Sequence, residues 1–172
     1  PNMPLASSWC GYSITNNGGK TWKSNLLPGF PQDTSPDKAT SPIRDMIQCA
    51  DPVLAAAPPN ATDPAQIYYG GLGQTKDVLN KVFVATFADP DDGTGALKYV
   101  RTIQIDVGKY SFQGQVLDKP AITVDPPSAG FPQGIVHFTY VVFDGKSASD
   151  FRTKVLYVRS TDGGRTFSKP VK

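Results

Sequence analysis

These 172 residues predict an all-β chain assembled from repeated antiparallel units, and three observations support that. Sixteen glycines and sixteen prolines interrupt the chain, and no segment places apolar residues at i, i+3, i+4 and i+7 over several turns. All fifteen acidic side chains are aspartates, and a chain without glutamate lacks a good helix former while keeping a turn former. Alternating apolar segments also end in the same short turn, Thr15-Asn16-Asn17-Gly18-Gly19-Lys20-Thr21-Trp22 and Ser160-Thr161-Asp162-Gly163-Gly164-Arg165-Thr166-Phe167.

The turns set the period. Asp89 stands 72 residues after Asn17 and 73 before Asp162 (89 − 17 and 162 − 89). Each of the three is preceded by an alternating strand: Trp9 to Ser13, Lys81 to Ala85 and Lys154 to Val158. The middle turn, Asp89-Pro90-Asp91-Asp92-Gly93-Thr94-Gly95, keeps turn residues and loses the Gly-x-Thr-aromatic ending. Upstream, Asp51-Pro52 precedes Lys119-Pro120 by 68 residues (119 − 51), and both are followed by a Pro-Pro pair and a strand beginning at Ile67 or Ile135. A full unit therefore reads strand, Pro-rich loop, strand, loop, strand, turn, strand, which is the four-stranded meander of a β-propeller blade.

In chain order, residues 1–45 hold the end of a first blade, with strands over Trp9 to Ile14 and Trp22 to Leu27, followed by a polar connecting loop, Pro28 to Pro42. Residues 46–115 form a second blade, with strands near Val53 to Ala57, Ile67 to Gly71, Val82 to Phe87 and Leu97 to Ile105. Residues 116–172 form an incomplete third, with strands near Ala121 to Val124, Ile135 to Phe143 and Lys154 to Arg159 and a last one starting at Phe167. About two and a half blades do not close a ring that ordinarily needs four to eight. The expectation is an incomplete β-propeller, a fragment whose ring is completed by the same polypeptide or by other chains. Pro1, with no basic start and apolar core behind it, fits a processed or partial polypeptide.

The turn has a physical logic. An Asp or Asn at its third position accepts hydrogen bonds from loop N–H groups, a Ser or Thr two residues earlier bonds back locally, and paired glycines take positive φ. The pattern resembles the Asp-box, the hairpin signature of sialidase-like β-propellers. The resemblance implies that Thr15, Asn17, Gly19, Thr21 and Trp22, with Ser160, Asp162, Gly164, Thr166 and Phe167, are scaffold on the outer part of a blade, their aromatic rings packing between neighbouring sheets. It further implies a glycoside hydrolase acting on glycans, with an arginine cluster, an aspartate acid/base and a tyrosine nucleophile activated by a glutamate at the channel mouth. This chain has no glutamate, and Pro42-Ile43-Arg44 holds the residues of the family's Arg-Ile-Pro motif in another order. The alternative expectation is a noncatalytic propeller that binds glycans or a protein partner.

Candidate site residues are few. Arg44 and Asp45 precede the first strand of the second blade, where the channel would lie, and the plainer reading is a loop salt bridge. Arg152 and Arg159 flank a strand as edge charges. Asp89, Asp91 and Asp92 ahead of Gly93 suggest a calcium turn, but Val100 occupies the twelfth place, where an EF-hand loop needs a carboxylate, and the plainer reading is a solvated turn. His137, the only histidine, has no Cys or His nearby in sequence to make a zinc site. Tyr68, Tyr69, Tyr110 and Phe112 are candidate stacking platforms for sugars, and the plainer reading is blade core.

Compartment and partners follow from composition. Cys10 and Cys49 either form one disulfide, expected for a secreted or cell-surface protein, or are two buried thiols. Asn60-Ala61-Thr62 is a glycosylation sequon. A net charge of +2 without a basic run argues against nucleic acid. The apolar run from Ile135 to Phe143 is too short to span a bilayer as a helix.

Overall fold

The computed structural model describes residues 8–60, 63–90, 94–109, 114–147 and 150–172. Among them run β1 (Gly11–Ile14), β2 (Lys23–Leu26), the helical turn α1 (Pro36–Thr40), β3 (Met46–Ala57), β4 (Ala65–Thr75), β5 (Leu79–Asp89), β6 (Lys98–Lys109), β7 (Gln115–Asp125), β8 (Ile135–Ser147) and β9 (Asp150–Ser160). Every ladder is antiparallel, and the strands fall into three open sheets ordered β1-β2, β3-β4-β5-β6 and β7-β8-β9. Strands adjacent in sequence are adjacent in space, so each sheet is a meander. After β9 the chain turns back alongside it: the Ser168 N–H donates to Arg159 O, and Tyr157 and Val171 form an antiparallel bridge. That return lies where the last strand was expected.

Period-two patterning sets the stacking. Val136, Phe138, Tyr140 and Val142 alternate along β8 and bury one face of the third sheet against Ala57, Tyr68, Val82 and Val84 of the second. The in-between residues of β5, Phe83, Ala85 and Phe87, are buried on its other side against Cys10, Leu27 and Ile43 of the first module. The middle sheet is therefore apolar on both faces because it is sandwiched, as a two-sided strand must be. At Gly70 any Cβ would lie 2.7 Å from the Phe138 ring, so glycine is what admits that ring. The Asp106 carboxylate accepts the Tyr140 hydroxyl at 2.7 Å, and the Leu117 N–H is held by Asn80 Oδ1, so polar bonds close the same seam.

The internal repeat extends to the backbone. Asp51 and Lys119 adopt φ of 50° and 52°, each precedes a proline, and each sits at a register shift in the first strand of its sheet. Both strands pair on one side only, which is where a residue lacking an N–H is tolerated.

Cys10 and Cys49 are bridged, with Cα atoms 5.2 Å apart, and the bond ties the start of the first sheet to β3 of the second. The Cys49 N–H to Ser8 O and the Tyr69 hydroxyl to Gly11 O reinforce that junction. Two expectations need adjustment. Strands run longer than apolar content suggests: β3 begins at Met46 and β9 at Asp150, because ladder pairing continues through polar residues. The loop after β2 contains the single turn α1, started by Pro36 at its first position. No helix among the described residues is long and apolar enough to cross a membrane.

Candidate functional site

The two turns have matching hydrogen bonds. Thr15 Oγ1 donates to Asn17 Oδ1 at 3.0 Å and accepts the Gly19 N–H at 3.0 Å, while Ser160 Oγ donates to Asp162 Oδ1 at 2.7 Å and accepts the Gly164 N–H at 2.9 Å. Asn17 Oδ1 takes the Thr21 N–H at 3.0 Å, and Asp162 Oδ1 takes the Thr166 N–H at 2.9 Å. The fourth contact reverses polarity. Asn17 Nδ2 donates to Thr21 Oγ1 at 2.7 Å, whereas Thr166 Oγ1 donates to Asp162 Oδ2 at 2.6 Å. Paired glycines in each turn take φ between 68° and 86°. Burial pushes the Asp162 carboxyl up, but the bonds from Thr166, Ser160 and Arg165 outweigh it and hold the group below the usual aspartate range.

What the turns rest on differs. A Cβ on Gly164 would meet Thr86 Oγ1 at 2.9 Å and the Tyr68 ring at 3.0 Å, so this turn is seated on the preceding sheet. Phe167, three residues later, packs into the same seam. Gly18 has nothing within 4 Å of its Cβ position, and Trp22 is 59% exposed, with its indole N–H bonded to Gly19 O. Among the described residues Phe167 therefore packs between sheets and Trp22 does not. No sheet lies beyond the first one among the described residues.

The other candidates are largely occupied by scaffold contacts. Both Asp45 oxygens bind the Lys81 ammonium, at 2.7 and 2.8 Å, and that ammonium also donates to Pro42 O. Arg44 donates to Ser41 O at 3.0 Å. Neither is brought to a second acid or an arginine cluster. Asp89 ends β5 opposite Ala65, while Asp91, Asp92 and Gly93 lie outside the described residues, as do Tyr110, Phe112 and Thr62 of the sequon. Among the described residues no three His, Cys or Asp side chains cluster as metal ligands. Arg152 and Arg159 are exposed.

Tyr68 and Tyr69 are core residues, the plainer of the two expectations. Neither is a surface platform, because adjacent strand residues point to opposite faces and both faces of the middle sheet are covered. Burial pushes both phenols up to about 12.

Sequence reasoning missed one polar arrangement. His137 Nδ1 lies 2.7 Å from the Tyr157 hydroxyl and its Nε2 lies 2.9 Å from Asp125 Oδ2, so a carboxylate, an imidazole and a phenol run across three strands on the outer face of the third sheet. Register aligns them with Ala57, Tyr68 and Val84 of the second sheet: Thr86 pairs with Tyr68 as Arg159 pairs with His137. An apolar triplet in one seam is replaced by a hydrogen-bonded one. The three positions are 12 and 20 residues apart, so only the register brings them together.

A second missed feature is a cavity of about 400 Å³ between the first sheet, residues 28–37 and the start of β6, walled by Tyr12, Phe30 and Tyr99. Its parts come from three separated segments, and no local pattern announces it.

Stacked antiparallel meanders, two of them ending their hairpins in the same hydrogen-bonded turn, define a repeat-built all-β protein. Comparison with family models, curated proteins and solved structures found no match.

Proposed function

We propose that the chain is a section of an Asp-box β-propeller of the sialidase-like class, and that this section recognises glycans without cleaving them. The observation that carries the reading is the pair of turns, which share four bonds with one polarity reversal, each following a strand of an antiparallel sheet. Hairpins of this kind fix blade edges in the family the sequence resembles. The noncatalytic half of the reading rests on chemistry: a tyrosine nucleophile of the sialidase type needs a glutamate partner, and the chain contains none. Arg44 and Asp45, the candidates expected beside a channel, are engaged in loop and strand contacts.

The Cys10–Cys49 bridge supports a secreted or cell-surface location, because structural disulfides persist in oxidising compartments. A fluorogenic sialoside tests the catalytic half. Incubated with the protein from about pH 4 to about pH 8, a span covering carboxylate and imidazole titration, it is expected to stay intact. Steady fluorophore release above a heat-denatured control would restore the hydrolase.

A further inference from the structure

The connection from the first sheet to the second is far longer than its counterpart. Nineteen residues, 27–45, join β2 to β3, whereas five, 110–114, join β6 to β7. Crossing between stacked sheets therefore does not require the longer loop, and surplus ordered loop on a rigid scaffold is where binding groups concentrate. Here the surplus folds over to make the cavity walled by Tyr12, Phe30 and Tyr99. At about 400 Å³ it falls within the range of small-ligand sites.

Its walls are rigid. Tyr12 and Tyr99 flank Phe87 edge to face, with centroids 5.0 and 5.7 Å from it. The Tyr99 hydroxyl donates to Thr102 Oγ1 at 2.9 Å, so its ring is what a ligand meets. Polar groups share the lining. The Asp33 carboxylate is fixed by the Gly29 N–H at 2.7 Å and the Ser35 N–H at 2.8 Å, and Gln32 and Asp37 join it. Although burial alone raises its pKa, those bonds and Lys38 outweigh it and keep Asp33 ionised.

Among the described residues neither lysine nor arginine lines the cavity. An anionic ligand would face the carboxylates of Asp33 and Asp37, of which Lys38 acts on the first. An organic cation gains less than the two carboxylates suggest, because Lys38, anchored to Pro31 O at 2.9 Å, sits close enough to act on Asp33. Aromatic walls beside fixed acceptors and amides suit a ligand with an apolar ring face and a rim of hydroxyls. We infer that this cavity binds an uncharged saccharide unit, a specificity that excludes sialic acid. The inference rests on the glycan-recognition reading and adds its location and class.

Saturation-transfer difference NMR and calorimetry on the whole chain test it, with lactose, maltotriose and chitotriose as neutral probes and sialyllactose and choline as charged ones. At least one neutral probe is expected to bind, and both Tyr99→Ala and Thr34→Trp to weaken it about tenfold or more. Thr34 is exposed on the cavity rim, so the second variant fills the space without touching the core and remains informative if the first fails to fold. Arg152→Ala, on the third sheet, should leave binding unchanged. Neutral binding insensitive to Thr34→Trp would overturn the cavity and leave glycan recognition standing. Silence from every sugar would overturn both. Sialyllactose binding tighter than lactose, or choline binding lost in Thr34→Trp, would overturn the ligand class.

Discussion

Replacing Asp162 tests the turn directly, because the other turn supplies an internal reference. The carboxylate accepts from Ser160 Oγ, the Arg165 N–H, the Thr166 N–H and Thr166 Oγ1, at 2.7, 3.0, 2.9 and 2.6 Å. Hydrogen bonds to charged groups contribute about 1.5 to 3 kcal/mol each when fully counted. Three of these four lie at exposed positions where water replaces the lost acceptor, and only the bond to Ser160 is half-buried. Asp162→Ala should therefore cost about 2 to 3 kcal/mol, not the sum of four bonds. For a chain of this size that is a fall of roughly 5 to 10 °C in melting temperature.

Asp162→Asn should cost only about 1 kcal/mol. Asn17 shows how an amide satisfies the same turn: its oxygen keeps the backbone donor, and its nitrogen donates to the threonine hydroxyl. Urea unfolding followed by circular dichroism measures both variants. The pH dependence gives a second readout. Because the folded-state pKa of Asp162 is depressed, the stabilisation is complete above the unfolded value of about 4 and is lost as pH falls through the folded value. Wild type should lose that increment in acid, and Asp162→Asn should not. The reasoning is refuted if Asp162→Ala falls within about 0.5 kcal/mol of wild type, or if the asparagine variant is as unstable as the alanine one.

Two further outcomes are expected. Replacing Cys10 and Cys49 with serine opens a bridge spanning a sequence separation of 39 and should cost about 4 kcal/mol on the chain-entropy scale; an unchanged urea midpoint would contradict that. Gly164→Ala must hold φ near 73° and push a methyl against Thr86 and Tyr68, whereas Gly18→Ala meets only open space at φ 68°. Thermal melts should put the first loss at about 2 to 3 kcal/mol and the second near 1 kcal/mol, and equal losses would mean that the turn is not seated on the preceding sheet.

The parts of the fold legible in sequence are those fixed by short-range chemistry. Every bond within the turn at Asp162 joins residues two to four apart, so the pattern Ser-x-Asp-x-Gly-x-Thr carries its own geometry. The strands leading into such turns, and the Asp51-Pro52 and Lys119-Pro120 bulges, inherit that regularity. Illegible were consequences of stacking. Tyr68 and Tyr69 look alike as neighbours in a strand, yet they enter different cores. Trp22 and Phe167 occupy matching positions, and only the sheet beneath the second buries its ring. The cavity needs segments that meet only once β1, β2, the long loop and β6 are assembled.

The repeat therefore separates scaffold from specialisation. Positions that match between units are those whose bonds the fold needs: the turn residues, the bulge prolines and the alternating apolar face. Departures from the repeat have no such duty, and they coincide with unusual chemistry. Asp125, His137 and Tyr157 stand where the second sheet has Ala57, Tyr68 and Val84. In the second sheet that row is capped by the turn at Gly164, and an unpaired carboxylate placed there would carry a desolvation cost of several kcal/mol. On the third sheet Asp125 is exposed and His137 half-buried, so the polar row is hydrated at its carboxylate end, and each imidazole nitrogen has a partner, Nε2 in Asp125 and Nδ1 in Tyr157. The same backbone position thus carries an apolar row where a neighbouring turn closes over it and a polar one on the third sheet, over whose outer face no further sheet lies among the described residues. The surplus loop over Tyr12 and Tyr99 follows the same division, since its shorter counterpart between β6 and β7 joins two stacked sheets without it.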